Sequence, residues 1–91
     1  MSGGVRLEEI FASKGRVKVI KELILRGEVN LNQLIRATGL NYITVVKHLK
    51  FLQDAGLVEE LRVGRSRIYR PNWMDPRMRL IEEVMKDLSG E

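Results

Sequence analysis

The stretch Asn30-Leu31-Asn32-Gln33-Leu34-Ile35-Arg36-Ala37-Thr38-Gly39-Leu40-Asn41-Tyr42-Ile43-Thr44-Val45-Val46-Lys47-His48-Leu49-Lys50-Phe51-Leu52-Gln53-Asp54-Ala55-Gly56 decides the fold. Asn30 can accept a hydrogen bond from the first helical amides, and Gln33 stands three residues on, a capping-box arrangement. The helix it opens runs from Leu31 to about Thr38, with Leu34, Ile35 and Ala37 on its buried side. Gly39-Leu40 breaks that helix, and Asn41 caps a second one from Tyr42 to about Ala55. Gly56 ends it. Two helices joined by a short glycine-containing turn are a helix-turn-helix signature.

Upstream, Leu7, Ile10 and Phe11 keep i, i+3, i+4 spacing in a helix expected from about Val5 to Ala12. Ser13 caps a longer helix to about Arg26, where Val17, Ile20 and Ile24, flanked by Val19 and Leu23, form an apolar stripe. Gly27 is its natural stop. Downstream, two short strands, Leu57–Leu61 and Ile68–Arg70, flank the basic turn Arg62–Arg67. Pro71 removes a donor and ends the second strand. Asp75-Pro76 opens a last helix to about Leu88, with Asp as N-cap and Pro at the first helical position. A hairpin after a helix-turn-helix makes a winged helix: a mainly α fold with a small β-hairpin wing (α+β). The expected layout is one domain over 1–91, with an N-terminal helix in 1–12, a core in 13–73 and a C-terminal helix in 74–91.

Composition narrows the functions available. Ninety-one residues hold one small core, and such a chain buries only about 60% of its unfolded surface. That leaves no room for both a catalytic cleft and a cofactor domain, and an enzyme is not expected. Nor can a nucleophile–base pair or a phosphate-binding glycine loop be assembled from the sequence. Zero cysteines exclude a disulfide scaffold and a thiol nucleophile, and one histidine excludes most imidazole metal sites. No cofactor and no metal are expected. No apolar run approaches the ~20 residues that span a bilayer, and the first residues lack the apolar stretch of a secretory signal. A cytoplasmic, nucleoid-associated location is the expectation.

The net charge is +4. The segment 75–91 carries five acids against three basic residues, so residues 1–74 hold +6. Between Leu61 and Met74 lie Arg62, Arg65, Arg67 and Arg70 with no acid, and between Asn41 and Gln53 lie Lys47 and Lys50 with none. At 100° per residue, Val45, Leu49 and Leu52 of the second signature helix point into the core while Ile43, Lys47 and Lys50 point away. Val46 borders the outward face, and Tyr42 and His48 flank the apolar stripe. Lysines on such a face can be plain solvated residues. Four arginines in one short hairpin repel one another, and a phosphate partner relieves that repulsion. His48 reads as a packed or phosphate-bonding residue, since no second His and no Cys exist to complete a metal site.

The runs Thr44-Val45-Val46-Lys47-His48-Leu49-Lys50-Phe51-Leu52-Gln53-Asp54-Ala55-Gly56-Leu57-Val58 and Gly64-Arg65-Ser66-Arg67-Ile68-Tyr69 resemble the ArsR-type winged-helix transcription regulators, a group within the wider MarR-like superfamily. In that family a TVSxHLxxLxxAGLV run precedes GRxxxY. Arg16 also stands where the family often has an arginine opening its main N-terminal helix. The resemblance spans about Ser13 to Asn72. It implies a homodimer on double-stranded DNA, with two recognition helices in successive major grooves and half-sites about 34–36 Å apart. It also implies a repressor acting by occlusion. The expected DNA-facing set is Asn41, Tyr42, Ile43, Thr44, Val46, Lys47, His48 and Lys50 of the helix, and Arg62, Arg65, Ser66 and Arg67 of the wing. A wing arginine could instead enter a narrow minor groove.

Where the family tends to have small polar residues, this chain has Tyr42, Ile43 and Val46. Ile and Val cannot hydrogen-bond base edges but can pack on thymine methyl groups. They could also form a contact patch for a partner protein, and a winged-helix interaction module in a nucleoprotein assembly is the competing reading. Metal-sensing members of the family need Cys, His and carboxylate clusters that this sequence lacks.

Met74, Met78, Ile81, Met85 and Leu88 recur at steps of 4, 3, 4 and 3, an a/d pattern. One helix needs such a face for its own core. Yet Leu7, Ile10 and Phe11 add a second face, and the two together are expected to pack against a second copy of the chain.

Overall fold

The computed structural model describes residues 6–88, Leu88 by its backbone alone. Helices α1 (Leu7–Phe11) and α2 (Lys14–Arg26) come first, then β1 (Val29–Asn30), α3 (Leu31–Thr38) and α4 (Tyr42–Asp54). Strands β2 (Val58–Val63) and β3 (Ser66–Pro71) follow, and α5 (Arg77–Leu88) ends the described chain. Val5, where the first helix is expected to start, lies outside the described residues.

Local chemistry sets the boundaries. Ser13 Oγ accepts from the Arg16 amide at 3.2 Å and starts α2. Asn30 and Gln33 exchange reciprocal hydrogen bonds at 2.8 and 2.9 Å, closing the capping box of α3. Asn41 Oδ1 accepts from the Thr44 amide at 2.8 Å and starts α4. Gly39, at φ 72°, adopts the left-handed conformation that turns the chain between α3 and α4. The Asp75 carboxylate accepts from the Arg77 amide at 3.0 Å at the head of α5.

The hairpin is tighter than the sequence suggests. Val63 pairs with Ser66, so Gly64 and Arg65 alone form the turn, with Gly64 at φ 62° in the first central position. Glycine there suits a type II′ turn. Arg62 and Arg67, expected in a loop, are instead directly opposed across the ladder. A third strand was not foreseen. β1 pairs antiparallel with β3 (Val29 with Tyr69, Asn30 with Ile68), giving the order β1-β3-β2. Two residues are too few for periodicity to register.

Ile20, Leu23, Leu34, Val45, Leu49, Leu52, Leu57 and Tyr69 form the centre of the core. Ile10, Met78, Ile81 and Met85 belong to the same core. Those four residues of the expected dimer seam are already buried within one chain, Met85 keeping 6% exposure. α2 provides the second apolar surface that the sequence reading lacked, with α1 and α5 both packed on it. Of the other expected seam residues, Leu7 and Phe11 are half-buried and Met74 is 91% exposed. The side chain of Leu88 lies outside the described residues. No helix among the described residues is long and apolar enough to cross a membrane.

Candidate nucleic-acid interface

Helix α4 is anchored by Val45, Leu49 and Leu52, all buried. The face opposite them is open. Ile43 is 77% exposed and Tyr42 53% exposed. Asn41, Lys47 and Lys50 are also exposed, while Thr44 and Val46 are half-buried at the border. The surface is thus apolar at the first turn and cationic farther along. Lys50 has an exposed partner, Asp54, 3.9 Å away.

His48 departs from the expected set. It is only 9% exposed, and Gly15 of α2 packs against its ring so closely that a Cβ there would lie 2.9 Å from Nε2. His48 therefore joins α4 to α2 and does not face outward with Ile43 and Lys47. Its Nδ1 is buried and accepts no hydrogen bond from the described residues. Burial, and then the charges of Arg16 and Lys47, hold its pKa below the ordinary value. Arg16 lies on the same side. Its guanidinium sits 3.7 Å from the centre of the Phe51 ring, and its Nη1 donates to the Glu9 carbonyl. It ties α1 and α2 to α4, while its Nε is buried with no hydrogen-bond partner among the described residues.

The wing differs from the acid-free patch that the sequence suggests. Glu60, just before that arginine run, faces Arg62 and Arg67 from the same side of the hairpin. Arg67 Nε donates to Glu60 Oε2 at 3.1 Å, and Arg62 Nε lies 3.5 Å from the same oxygen. Gln53 of α4 donates to Glu60 Oε1 at 3.3 Å. Desolvation pushes the Glu60 carboxyl upward, but the hydrogen bonds from Arg67 and Gln53 and the arginine charges outweigh it and hold the pKa low. The Arg67 guanidinium also lies 5.8 Å from the ring centre of the buried Tyr69. Arg70, on the other face, pairs with Glu59 at 3.1 Å and Glu28 at 3.6 Å. Arg65 stands exposed at the tip beside Ser66, with no acidic partner among the described residues.

Helix α4 and the wing are thus joined through Gln53 and Glu60, and Glu60, Gln53 and Tyr69 join the candidate site although the sequence reading did not single them out as site residues. The available signal was spacing: Glu60 and Arg62 are two apart in a strand and so share a face.

The last strand is tied back to the end of α4. Asn72 Nδ2 donates to the Gly56 carbonyl at 2.9 Å, and Arg77 Nη2 donates to the Ala55 carbonyl at 2.8 Å. The hydrogen bonds and charge of Arg77 outweigh desolvation and hold the Asp75 carboxyl below its usual range. Among the described residues no group of three or more His, Cys, Asp or Glu side chains is placed to hold a metal ion.

Residues 13–60 match the family described as bacterial regulatory protein, arsR family. The chain belongs to that family. It is 36% identical over 58 residues to the HTH-type transcriptional regulator Rv0324 of Mycobacterium tuberculosis. That alignment takes in 64% of this chain but only 26% of the relative, so the chain spans about a quarter of that protein's length. Among solved structures, a Mycobacterium bovis fragment, Mb0332, is 28% identical with a TM-score of 0.73, over 90% of this chain and 74% of that one. HlyU of Vibrio cholerae, 20% identical, shares the fold with a TM-score of 0.79 over 93% and 89% of the two chains. The arsR-family match covers the helix-turn-helix and ends within β2, at Glu60.

Proposed function

We propose that the protein binds double-stranded DNA as a homodimer and represses transcription in the cytoplasm by occluding its target. The observation that carries this reading is the shared exposed surface of α4 and the wing. Tyr42, Ile43, Lys47 and Lys50 project from the recognition helix, and Arg62, Arg65 and Arg67 stand beside them. Lysines and arginines supply affinity and register through phosphates. Ile43 and Val46 read thymine methyl groups, so base recognition is sparse and leans on DNA shape.

The homodimer draws support from the Mycobacterium bovis fragment, described as a homodimeric winged helix-turn-helix DNA-binding domain. In this chain the seam would use the apolar residues that the core leaves open. Leu80 is 50% exposed, and Phe11, Val17 and Val84 line an open groove between the terminal helices and α2. The open apolar head of α4 also suits a protein partner, and salt separates the two readings. A dimer making 6–10 phosphate contacts loses about 10³–10⁵ in affinity between 50 and 200 mM salt. An apolar protein contact barely changes.

Selection of bound sites from random duplex DNA, with stoichiometry measured on the winner, tests the proposal. The expected result is a two-fold symmetric, A·T-containing site bound by two chains. A G·C-rich consensus with strong guanine preference removes the thymine-methyl reading, and no enrichment removes DNA binding itself. Leu80→Glu with Val84→Glu is expected to give a folded monomer with weakened binding; an unchanged sedimentation coefficient counts against the seam.

A further inference from the structure

Two arginines directly opposed across a hairpin ought to splay apart. Arg62 and Arg67 do not: both bring Nε to the same Glu60 oxygen, at 3.5 and 3.1 Å. Beyond these contacts the Arg62 side chain stays largely exposed, while Arg67 is half-buried and also interacts with the buried Tyr69. Glu60 is itself fixed. Its other oxygen accepts from Gln53 on the last turn of α4. The ring of Tyr69 backs Arg67 from below.

We infer that Glu60 is a positioning residue that holds Arg62 and Arg67 together as one outward-facing fork for a backbone phosphodiester, set against the recognition helix through Gln53. The inference rests on the DNA-binding reading above. Guanidinium forks match phosphate oxygens in a bidentate way, which single mobile arginines do so less selectively. The carboxylate screens the repulsion between the two cations, and its tether to α4 fixes where the fork sits relative to the bases. Register, rather than raw attraction, is what it would contribute.

This leads to an outcome opposite to that of simple charge. Glu60→Gln raises the net charge by one, so a purely electrostatic role tightens binding to every duplex. A positioning role weakens binding to the selected site by about 5–10-fold, while binding to random duplex stays level or tightens with a slightly steeper salt slope. Gln53→Ala changes no charge and is expected to lower preference for the selected site in the same direction. Affinities of wild type and both variants for the selected and a scrambled duplex, across a salt series, decide it. A lowered ratio of selected to scrambled affinity in both variants supports the fork. Equal tightening on both duplexes by Glu60→Gln, or an unchanged ratio in Gln53→Ala, overturns it. If wild type binds neither duplex at low salt, the DNA reading itself fails, which is a separate result.

Discussion

The two flanks of α4 handle charge in opposite ways. On one, His48 meets α2 through Gly15, with Arg16 and Lys47 as its charged neighbours and no carboxylate among the groups that shift its titration. On the other, Gln53 meets the wing, where Glu60 gathers two arginines. The first flank is buried and keeps its histidine neutral. The second is half-open and keeps its ions charged and paired. The same helix is thus held rigidly by packing on its α2 side and aimed by ion pairing on its wing side. A histidine enclosed by cations cannot gain a proton cheaply, whereas a carboxylate between arginines cannot easily lose its charge.

The largest effect is expected where the α2 flank is overfilled. Gly15→Ala places a methyl group 2.9 Å from His48 Nε2, a contact that forces the ring or the helix to move. Overpacking of this kind costs about 1–3 kcal/mol. Denaturant unfolding measures it, and the double variant with His48→Ala is expected to recover most of the loss. A loss equally large without the imidazole would mean that His48 is not what Gly15 accommodates. Glycine at this position lies within a helix, where it is otherwise unfavourable, so the close approach is its reason for being there.

The next effect separates the flanks by pH. The folded pKa of His48 is depressed below the ordinary 6.5. The unfolded chain therefore takes up a proton first as pH falls, and stability is full above about 6.5 and declines below it, until the folded form titrates too. The slope from one such group is at most roughly 1.4 kcal/mol per pH unit. Glu60 has a folded pKa below its ordinary 4.5, so its contribution is also present at neutral pH but fades only in the acid range below that value. Unfolding free energy measured from about pH 7.5 down to about pH 2 is expected to fall in two stages. His48→Gln should flatten the upper stage and leave the lower one; retention of the upper stage in that variant would contradict the assignment.

How far this arrangement was legible in the sequence follows from the range of the interactions. The caps at Ser13, Asn30, Gln33 and Asn41 act within three residues, so the helix boundaries and the helix-turn-helix could be read directly. The inward positions of α4 followed from its period. The contacts that the sequence left open are long in range or subtle in partnership. Ile81 and Met85 show the apolar spacing of an interface and of a core alike, and α2 decides between them. His48 lies on the border of the stripe, and only the missing side chain of Gly15 allows it to be buried. The wing looked like unopposed positive charge because acids were counted between Leu61 and Met74. Glu60 lies one residue outside that window, yet the pleat places it beside Arg62 and opposite Tyr69, two residues from Arg67.

The smallest effect tests whether pairing on the wing side extends to the helix itself. Lys50 and Asp54 are an i, i+4 pair at 3.9 Å with both side chains largely exposed. Such pairs contribute about 0.3–0.5 kcal/mol at most. Asp54→Asn should therefore leave stability almost unchanged while freeing Lys50 for phosphate. The expected reading is a small, uniform gain in affinity for any duplex, present at low salt and gone by roughly 0.2 M, where the Debye length falls below about 8 Å. That behaviour would differ in kind from Glu60→Gln, which should alter the preference between duplexes. If Asp54→Asn also changed the preference, exposed and half-buried acids on this side would act alike, and the burial of Glu60 against Gln53 and Tyr69 would lose its significance. A uniform gain instead ties selectivity to the one carboxylate that the wing and the recognition helix hold in common.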